Sequence, residues 1–177
     1  MAEPSEPDRM ESNYGKPLLG RILGDIFDLS NAKLEEALAY QRDKGGRLGE
    51  ALLHLRALRE EELLEGLAIQ FGLPWVPQLD AAAVDHELIK RVPIAFCRRY
   101  RVLPLRHEGG AILVATTDPL ETVALDDLRL LLGKPVKPVL TTGVSLLARL
   151  NNVYDEVASP AGAEEVMEDI AASESLD

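Results

Sequence analysis

The chain has 177 residues, enough for one compact domain or two small ones. Hydrophobic residues make up 46% of it, so a core can form and global disorder is excluded. The formal net charge of −11 comes from the two ends: twelve acids and one arginine lie before Ser12 or after Tyr154. The middle is therefore formally neutral, and the acidic ends argue against a nucleic-acid partner.

The order of segments predicts two subdomains between two tails. Residues 1–15 are rich in Pro, Glu and Ser and predict a flexible leader, while residues 158–177 predict an acidic linker or tail. A Pro-Trp-Val-Pro sequence at 74–77 separates a helical subdomain (16–76) from an α/β subdomain (77–157). No stretch approaches a membrane span and no signal peptide is present, so we predict a cytoplasmic protein without direct membrane insertion.

The helical subdomain contains an internal repeat with an offset of 29 residues. The paired positions include Leu19/Leu48, Gly20/Gly49, Leu23/Leu52, Leu29/Leu58, Leu34/Leu63, Leu38/Leu67 and Gln41/Gln70. Each copy is predicted to form a short helix, a break, and a second helix that runs to its glutamine. Ser30 is expected to cap the second helix of the first copy, and residues 42–46 to connect the copies. The two helical hairpins should pack as a four-helix unit around the leucines.

The second subdomain is predicted to contain a three-stranded sheet backed by helices. Residues 86–100 have helical periodicity with a break at Pro93. Strands at 102–105 and 112–115 flank a Gly-Gly turn, and a helix that stops at Gly133 leads to a third strand at 136–142. The strand–helix–strand connection makes the last two strands parallel if they are adjacent. The predicted fold class is therefore α+β.

No catalytic motif is found. The phosphate-binding loop GxxxxGK[ST] is missing, and the three histidines have no metal-ligand spacing. Cys97 precedes two arginines that could lower its pKa, but it is more simply a small buried hydrophobe. A basic cluster, more simply a solvated face, comprises Lys90, Arg91, Arg98, Arg99, Arg101 and Arg106. The candidate site is the repeat, where Arg47 is suited to gripping a phosphate or stacking on a base beside Gly49.

These residues resemble the N-terminal domain of type II secretion and type IV pilus assembly ATPases (the GspE N-terminal, or MshEN, family). The family's tandem motif runs RLG, a hydrophobic residue, a glycine, then LxxxLxxQ. The resemblance implies a cyclic di-GMP site formed by Leu19, Gly20, Leu23, Leu38, Gln41, Arg47, Leu48, Gly49, Leu52, Leu67, Gln70 and Asp118. The sequence departs from the motif at Leu18, where arginine belongs, and at Phe27 and Arg56, where glycine belongs.

The resemblance implies a module that is not itself an enzyme and has no cofactor. Its first expected role is to dock the ATPase of a secretion or pilus machine onto an inner-membrane platform protein, which places it at the inner membrane only through partners. Its second expected role is that of a cyclic di-GMP receptor. If the chain is a fragment, the remainder of the ATPase is a further partner.

Overall fold

A computed structural model describes residues 18–80 and 84–158. The described residues up to Trp75 form one compact unit, and those from Val76 onward form a second. The predicted leader and acidic tail lie almost entirely outside the described residues, so both remain predictions. The first unit is helical, with α1 (Leu19–Phe27), α2 (Asn31–Lys44), α3 (Leu48–His54) and α4 (Glu60–Phe71).

The second helix of each repeat is capped in a different way. In the first repeat the Ser30 side chain accepts a hydrogen bond from the Lys33 backbone N–H at 3.4 Å, as predicted. In the second repeat arginine replaces that serine, and the Glu62 carboxylate accepts from the Arg59 backbone N–H at 2.9 Å. A capping box combines both kinds of bond: the first repeat supplies the bond to the N-cap side chain, and the second supplies the bond to the carboxylate three residues later. Both second helices begin at the same position of the repeat.

The predicted helix ends need one correction. Helix α2 continues past Gln41 to Lys44, and α4 continues one residue past Gln70 to Phe71. The connection between the repeats is therefore shorter than the predicted 42–46. It consists of Gly45, Gly46 and Arg47, and both glycines have positive φ, a backbone conformation that lets the chain turn immediately after the helix.

The two repeats pack with matching geometry. A Cβ built on Gly20 would lie 3.0 Å from a methyl carbon of Leu34, and one built on Gly49 would lie 3.1 Å from the same atom type of Leu63. Both glycines thus make room for the leucine 14 residues later. Beyond this contact, α1 packs on α4 and α2 packs on α3. Each first helix therefore lies against the second helix of the other repeat, which gives the unit an approximate two-fold symmetry.

The second unit contains four helices and three strands within its described residues. Helices α5 (His86–Lys90) and α6 (Ile94–Tyr100) replace the single predicted helix, with the expected break at Pro93. The remaining elements are β1 (Val102–Glu108), β2 (Ala111–Thr116), α7 (Thr122–Leu132), β3 (Val136–Leu140) and α8 (Gly143–Ala158).

The sheet has the order β1-β2-β3. Strands β1 and β2 are antiparallel around Gly109-Gly110, and β2 and β3 are parallel, with Ile112 opposite Val136. Helices α5, α6 and α8 pack against β1, while α7 packs against β3. The α+β fold class, the helical repeat unit and the three-stranded sheet are confirmed.

Candidate functional site

The repeat residues Gln41 and Arg47 lie side by side where α2 gives way to α3. Arg47 is the residue immediately before α3, and the Glu50 carboxylate accepts from its backbone N–H at 3.0 Å. The Gln41 side chain, at the last full turn of α2, donates from Nε2 to the Gly46 carbonyl at 2.9 Å. This bond brings the glutamine of the first repeat next to the arginine of the second. We call Gln41 and Arg47 the charged half-site.

The equivalent pair on the other side of the unit is Gln70 and Leu18. The evidence is the packing of α1 on α4, where Leu19 Cδ1 lies 3.5 Å from the point that a Cβ on Gly66 would occupy. Gln70 follows Gly66 by one helical turn, and Leu18 immediately precedes Leu19. We call Gln70 and Leu18 the neutral half-site. From the repeat offset of 29 residues and this packing, we assign to each half-site the glutamine of one repeat and the N-terminal residue of the other.

The leucines of the predicted site fall into two groups. Leu23 and Leu52 are 0% exposed and belong to the core of the helical unit, so they support the site from beneath and offer no surface themselves. The other four pack against that core and are only partly buried, which leaves apolar surface available beside the half-sites; they are Leu19, Leu38, Leu48 and Leu67.

The two glycines of the predicted site have a packing role of their own. Gly20 is buried and Gly49 is partly buried, and a Cβ at either position would be closer to a leucine methyl carbon than an ordinary van der Waals contact. A methyl group at either position would press on Leu34 or Leu63. The Leu-Gly pair in each repeat is thus explained by helix packing, whether or not a ligand also approaches the glycine.

The two positions where the motif expects glycine differ in backbone conformation. Arg56 has φ of 51°, in the left-handed region that glycine adopts without strain. Phe27 is the last residue of α1, and the positive φ in that repeat falls one residue later, at Asp28 (φ 54°). The sequence alone did not reveal this shift, because the two breaks are aligned by residue type and not by backbone angle.

Asp118 lies in the second unit, in the loop between β2 and α7. Its Oδ1 accepts from the Leu120 backbone N–H at 2.8 Å. The Thr116 hydroxyl both accepts from the Asp118 N–H and donates to the Asp118 carbonyl, each at 3.2 Å. These bonds fix the shape of the loop that the sequence singled out around Asp118-Pro119, and they account for the aspartate structurally.

Cys97 is a buried hydrophobe and not a reactive thiol. It is 0% exposed, and its Sγ lies 3.4 Å from the Tyr154 hydroxyl, which donates to the Val92 carbonyl. Burial raises the pKa of the Cys97 thiol to about 11, so the neighbouring arginines do not activate it.

Three side chains of the basic cluster bond to three different partners and do not converge on one site. Arg91 donates to the Leu131 carbonyl, Arg98 to Asn151, and Arg106 pairs with Glu108. Within residues 18–80 and 84–158, no group of three His, Cys, Asp or Glu side chains is placed to hold a metal ion. In the same part of the chain, no helix is long and apolar enough to cross a bilayer.

Comparison with known proteins identifies the family. Residues 71–160 match the model of the MshEN domain. The solved "Structure of MshE with cdg", where cdg is cyclic di-GMP, is 32% identical in sequence with a TM-score of 0.64, and the match covers 77% of this chain and 98% of that one. That coverage exceeds residues 71–160 and therefore includes part of the helical unit. The chain belongs to the MshEN domain family.

Curated relatives place this domain in larger proteins. The type IV pilus assembly ATPase PilB of Myxococcus xanthus (strain DK1622) is 31% identical over 138 residues, which is 78% of this chain and 24% of PilB. Bacteriophage adsorption protein B of Escherichia coli (strain K12) is also 31% identical, over 77% of this chain and 18% of that protein. The chain thus spans a quarter or less of the curated relatives that it matches, and the matches are to a domain of them.

Proposed function

We propose that this chain is a regulatory module of a type IV pilus or type II secretion ATPase, and that its helical unit binds cyclic di-GMP. The observation that carries the proposal is the charged half-site, in which Gln41 and Arg47 from different repeats lie together at an exposed helix start. The similarity to MshE, whose structure was solved with cyclic di-GMP, supports the choice of ligand.

The chemistry of the charged half-site suits half of a cyclic dinucleotide. Arg47 is exposed, and its planar guanidinium can donate two hydrogen bonds to a phosphate or stack on a purine. The Gln41 amide offers both a donor and an acceptor to a base edge. The partly buried Leu38 and Leu48 supply apolar surface against which a base can pack. A two-fold symmetric ligand matches the approximate two-fold symmetry of the unit.

The neutral half-site binds its half of the ligand more weakly than the charged half-site does. Leu18 provides no charge, so one phosphate of the ligand loses a charge-assisted hydrogen bond of about 1.5–3 kcal/mol. This corresponds to a roughly tenfold to hundredfold loss of affinity relative to a unit with two arginines. Arg21 lies one turn further along α1, and its Nε is 3.9 Å from the Asp25 carboxylate on the following turn, on the side away from Leu18 in sequence.

Calorimetric titration of cyclic di-GMP into the intact chain tests the proposal. The wild type should bind, Arg47→Ala should bind at least tenfold more weakly, and Arg21→Ala should bind like the wild type. Arg21 is the control because it is likewise an exposed arginine near the start of a first helix, in the first turn of α1, but does not occupy the motif position of Arg47. Wild-type affinity in Arg47→Ala, or a loss of affinity in Arg21→Ala, would contradict the assignment of the charged half-site.

A second candidate function is docking to the inner-membrane platform protein of the same machine, which would place the module at the membrane through that partner. It is favoured by two large apolar side chains that are about half exposed on the helical unit, Ile26 of α1 at 50% and Ile69 of α4 at 47%. Position 69 corresponds to Tyr40 in the first repeat, where the tyrosine ring is covered by stacking on His54 at 4.8 Å. A pull-down with the cognate platform protein should capture the wild type and lose the Ile26→Glu/Ile69→Glu variant.

A further inference from the structure

The peptide group between Gly46 and Arg47 is held at both of its polar atoms. Its carbonyl oxygen, on Gly46, accepts a hydrogen bond from Nε2 of the Gln41 side chain at 2.9 Å. Its N–H, on Arg47, donates to Oε2 of Glu50 at 3.0 Å. Gln41 belongs to α2 and Glu50 to α3, so this one peptide group is bonded to both helices. We call these two hydrogen bonds the peptide clamp.

The backbone of the turn brings Glu50 into this position. Gly46 has φ of 85°, a conformation that residues with a side chain rarely adopt. A Cβ built on Gly46 would lie 2.8 Å from Oε2 of Glu50, the same oxygen that accepts from Arg47. The Gly45 N–H donates to the backbone carbonyl of Gln41 at 2.8 Å, which holds the turn to the end of α2. The Glu50 carboxylate therefore lies against the turn, and a side chain at position 46 would displace it.

The peptide clamp fixes the point from which the Arg47 side chain extends. The bond to Glu50 involves a charged acceptor, which makes it stronger than a bond between neutral groups. The two bonds share one peptide group, so each polarises the other. The Arg47 Cα follows this peptide group directly. A side chain that starts from a fixed backbone loses less conformational freedom when it binds a phosphate, so the clamp favours binding.

The first repeat has no counterpart of the Glu50 bond within the described residues. By the repeat offset of 29 residues, Glu50 corresponds to Arg21, whose guanidinium can only donate hydrogen bonds. Helix α1 has no acidic residue in its first turn, and its N-cap, Leu18, makes no side-chain capping bond. The clamp thus occurs beside Arg47, the motif arginine that the chain retains, and not beside Leu18.

We propose that Glu50 is a positioning residue of the charged half-site: with the Gln41 amide it holds the backbone of Arg47 in place, and it does not itself contact the ligand. This inference rests on the proposed function and extends the charged half-site from two residues to three. It also makes glycine a requirement at position 46, because the carboxylate occupies the space that a side chain there would need.

Amide hydrogen exchange at Arg47, followed by NMR on the intact chain, tests the clamp without any ligand. Glu50→Ala should speed this exchange at least about threefold, because the N–H loses its acceptor. Glu50→Gln should keep most of the protection, since the amide oxygen of glutamine can accept the same bond. The matched control is Glu62→Ala, because Glu62 accepts from the Arg59 N–H in the same way at 2.9 Å. The control should speed exchange at Arg59 only, and unchanged exchange at Arg47 in Glu50→Ala would overturn the proposal.

Calorimetric titration of cyclic di-GMP tests the effect on binding. Glu50→Ala should bind about fivefold more weakly than the wild type, whereas Glu50→Gln and Glu62→Ala should bind within about twofold of it. When Arg47→Ala is already present, Glu50→Ala should cause no further loss, because Glu50 acts through Arg47. A further loss in that background would show that Glu50 contacts the ligand itself. That result, or equal affinities of the wild type and Glu50→Ala, would overturn the positioning role.

Gly46→Ala and Gly45→Ala provide a second matched pair. Gly45 has φ of 76°, and a Cβ there would meet no described atom within 4 Å beyond its chain neighbours. Both variants therefore carry backbone strain, but only Gly46→Ala displaces the Glu50 carboxylate. Gly46→Ala should bind cyclic di-GMP at least about threefold more weakly than Gly45→Ala, and equal affinities would contradict the clamp. If the wild type binds no cyclic di-GMP, the proposed function fails, and exchange at Arg47 alone decides whether Glu50 positions the arginine.

Discussion

Gly66 of α4 is in direct contact with Leu23 of α1, since a Cβ built on the glycine would lie 2.6 Å from a methyl carbon of the leucine. Leu23 is 0% exposed, so its side chain has little room to move. The equivalent position in the first repeat is Ala37, which shows that the symmetric contact between α2 and α3 is wider by at least a methyl group. The two helix pairs thus have the same arrangement, but α1 and α4 lie closer together than α2 and α3.

We predict that Gly66→Ala destabilises the helical unit by about 1 kcal/mol. Overpacking costs about 1–3 kcal/mol, and the better helix propensity of alanine returns about 1 kcal/mol of it. Urea unfolding should show a lower midpoint. The reverse change at the equivalent site, Ala37→Gly, serves as the control and should cost about 1 kcal/mol through helix propensity and about 1 kcal/mol more because a buried methyl group is lost. A stabilised Gly66→Ala variant would contradict the close contact of α1 with α4.

Arg56 is predicted to be a strained residue. Its φ of 51° costs a non-glycine residue about 1–2 kcal/mol, part of which glycine regains. Arg56→Gly should therefore raise the free energy of unfolding by about 0.5–1 kcal/mol. Phe27→Gly, at the same motif position of the first repeat, should lower it, because Phe27 is helical and packs against the core. The two variants are compared by thermal unfolding. Midpoint temperatures that shift in the same direction in both would contradict this assignment.

Much of the fold follows from local chemistry. Pro93 separates two helices and is the N-cap of the second, Gly133 follows the last residue of α7, and the spacing of Leu34 and Ala37 identifies the buried face of α2. These features depend on residues close in the chain, so the sequence predicts them. The partner of each buried face depends on the whole unit. Periodicity showed that Leu23 points inward, but not that it meets α4 of the other repeat.

The same distinction explains which part of the candidate site could be predicted from the sequence. The repeat predicted Gln41, Gln70 and Arg47 as polar groups of interest, and assigned each to its own copy. Only the packing of α2 on α3 shows that Gln41 belongs with Arg47. A helix surface can be read from sequence, whereas a site assembled from two helices requires their contact to be known.

Cys97 should make the protein sensitive to alkaline pH. Burial raises the pKa of its thiol to about 11, above the value of about 8.5 expected in the unfolded chain. The unfolded state therefore releases this proton first, so stability is complete below about pH 8.5 and falls as the pH rises toward 11. The thiol accounts for a loss of about 2–3 kcal/mol over that range.

Urea unfolding between pH 8 and 11 checks this. Cys97→Ala should lose less stability over the range than the wild type, although it starts from a lower value because of the cavity it creates. The wild-type thiol should also resist a thiol reagent at pH 8 until the protein is unfolded. Parallel pH profiles for the two proteins would contradict the burial of the thiol in the native state.

The most direct measurement is calorimetric titration of cyclic di-GMP into the Leu18→Arg variant beside the wild type. Leu18→Arg converts the neutral half-site into a second charged one, so the variant should bind cyclic di-GMP roughly tenfold to hundredfold more tightly than the wild type does. The gain in affinity should disappear when Gln70→Ala is added to Leu18→Arg, because Gln70 and position 18 form one half-site. It should persist in part when Gln41→Ala is added instead. No heat for either protein at high micromolar ligand would contradict cyclic di-GMP binding, and equal affinities would contradict the pairing of residue 18 with Gln70.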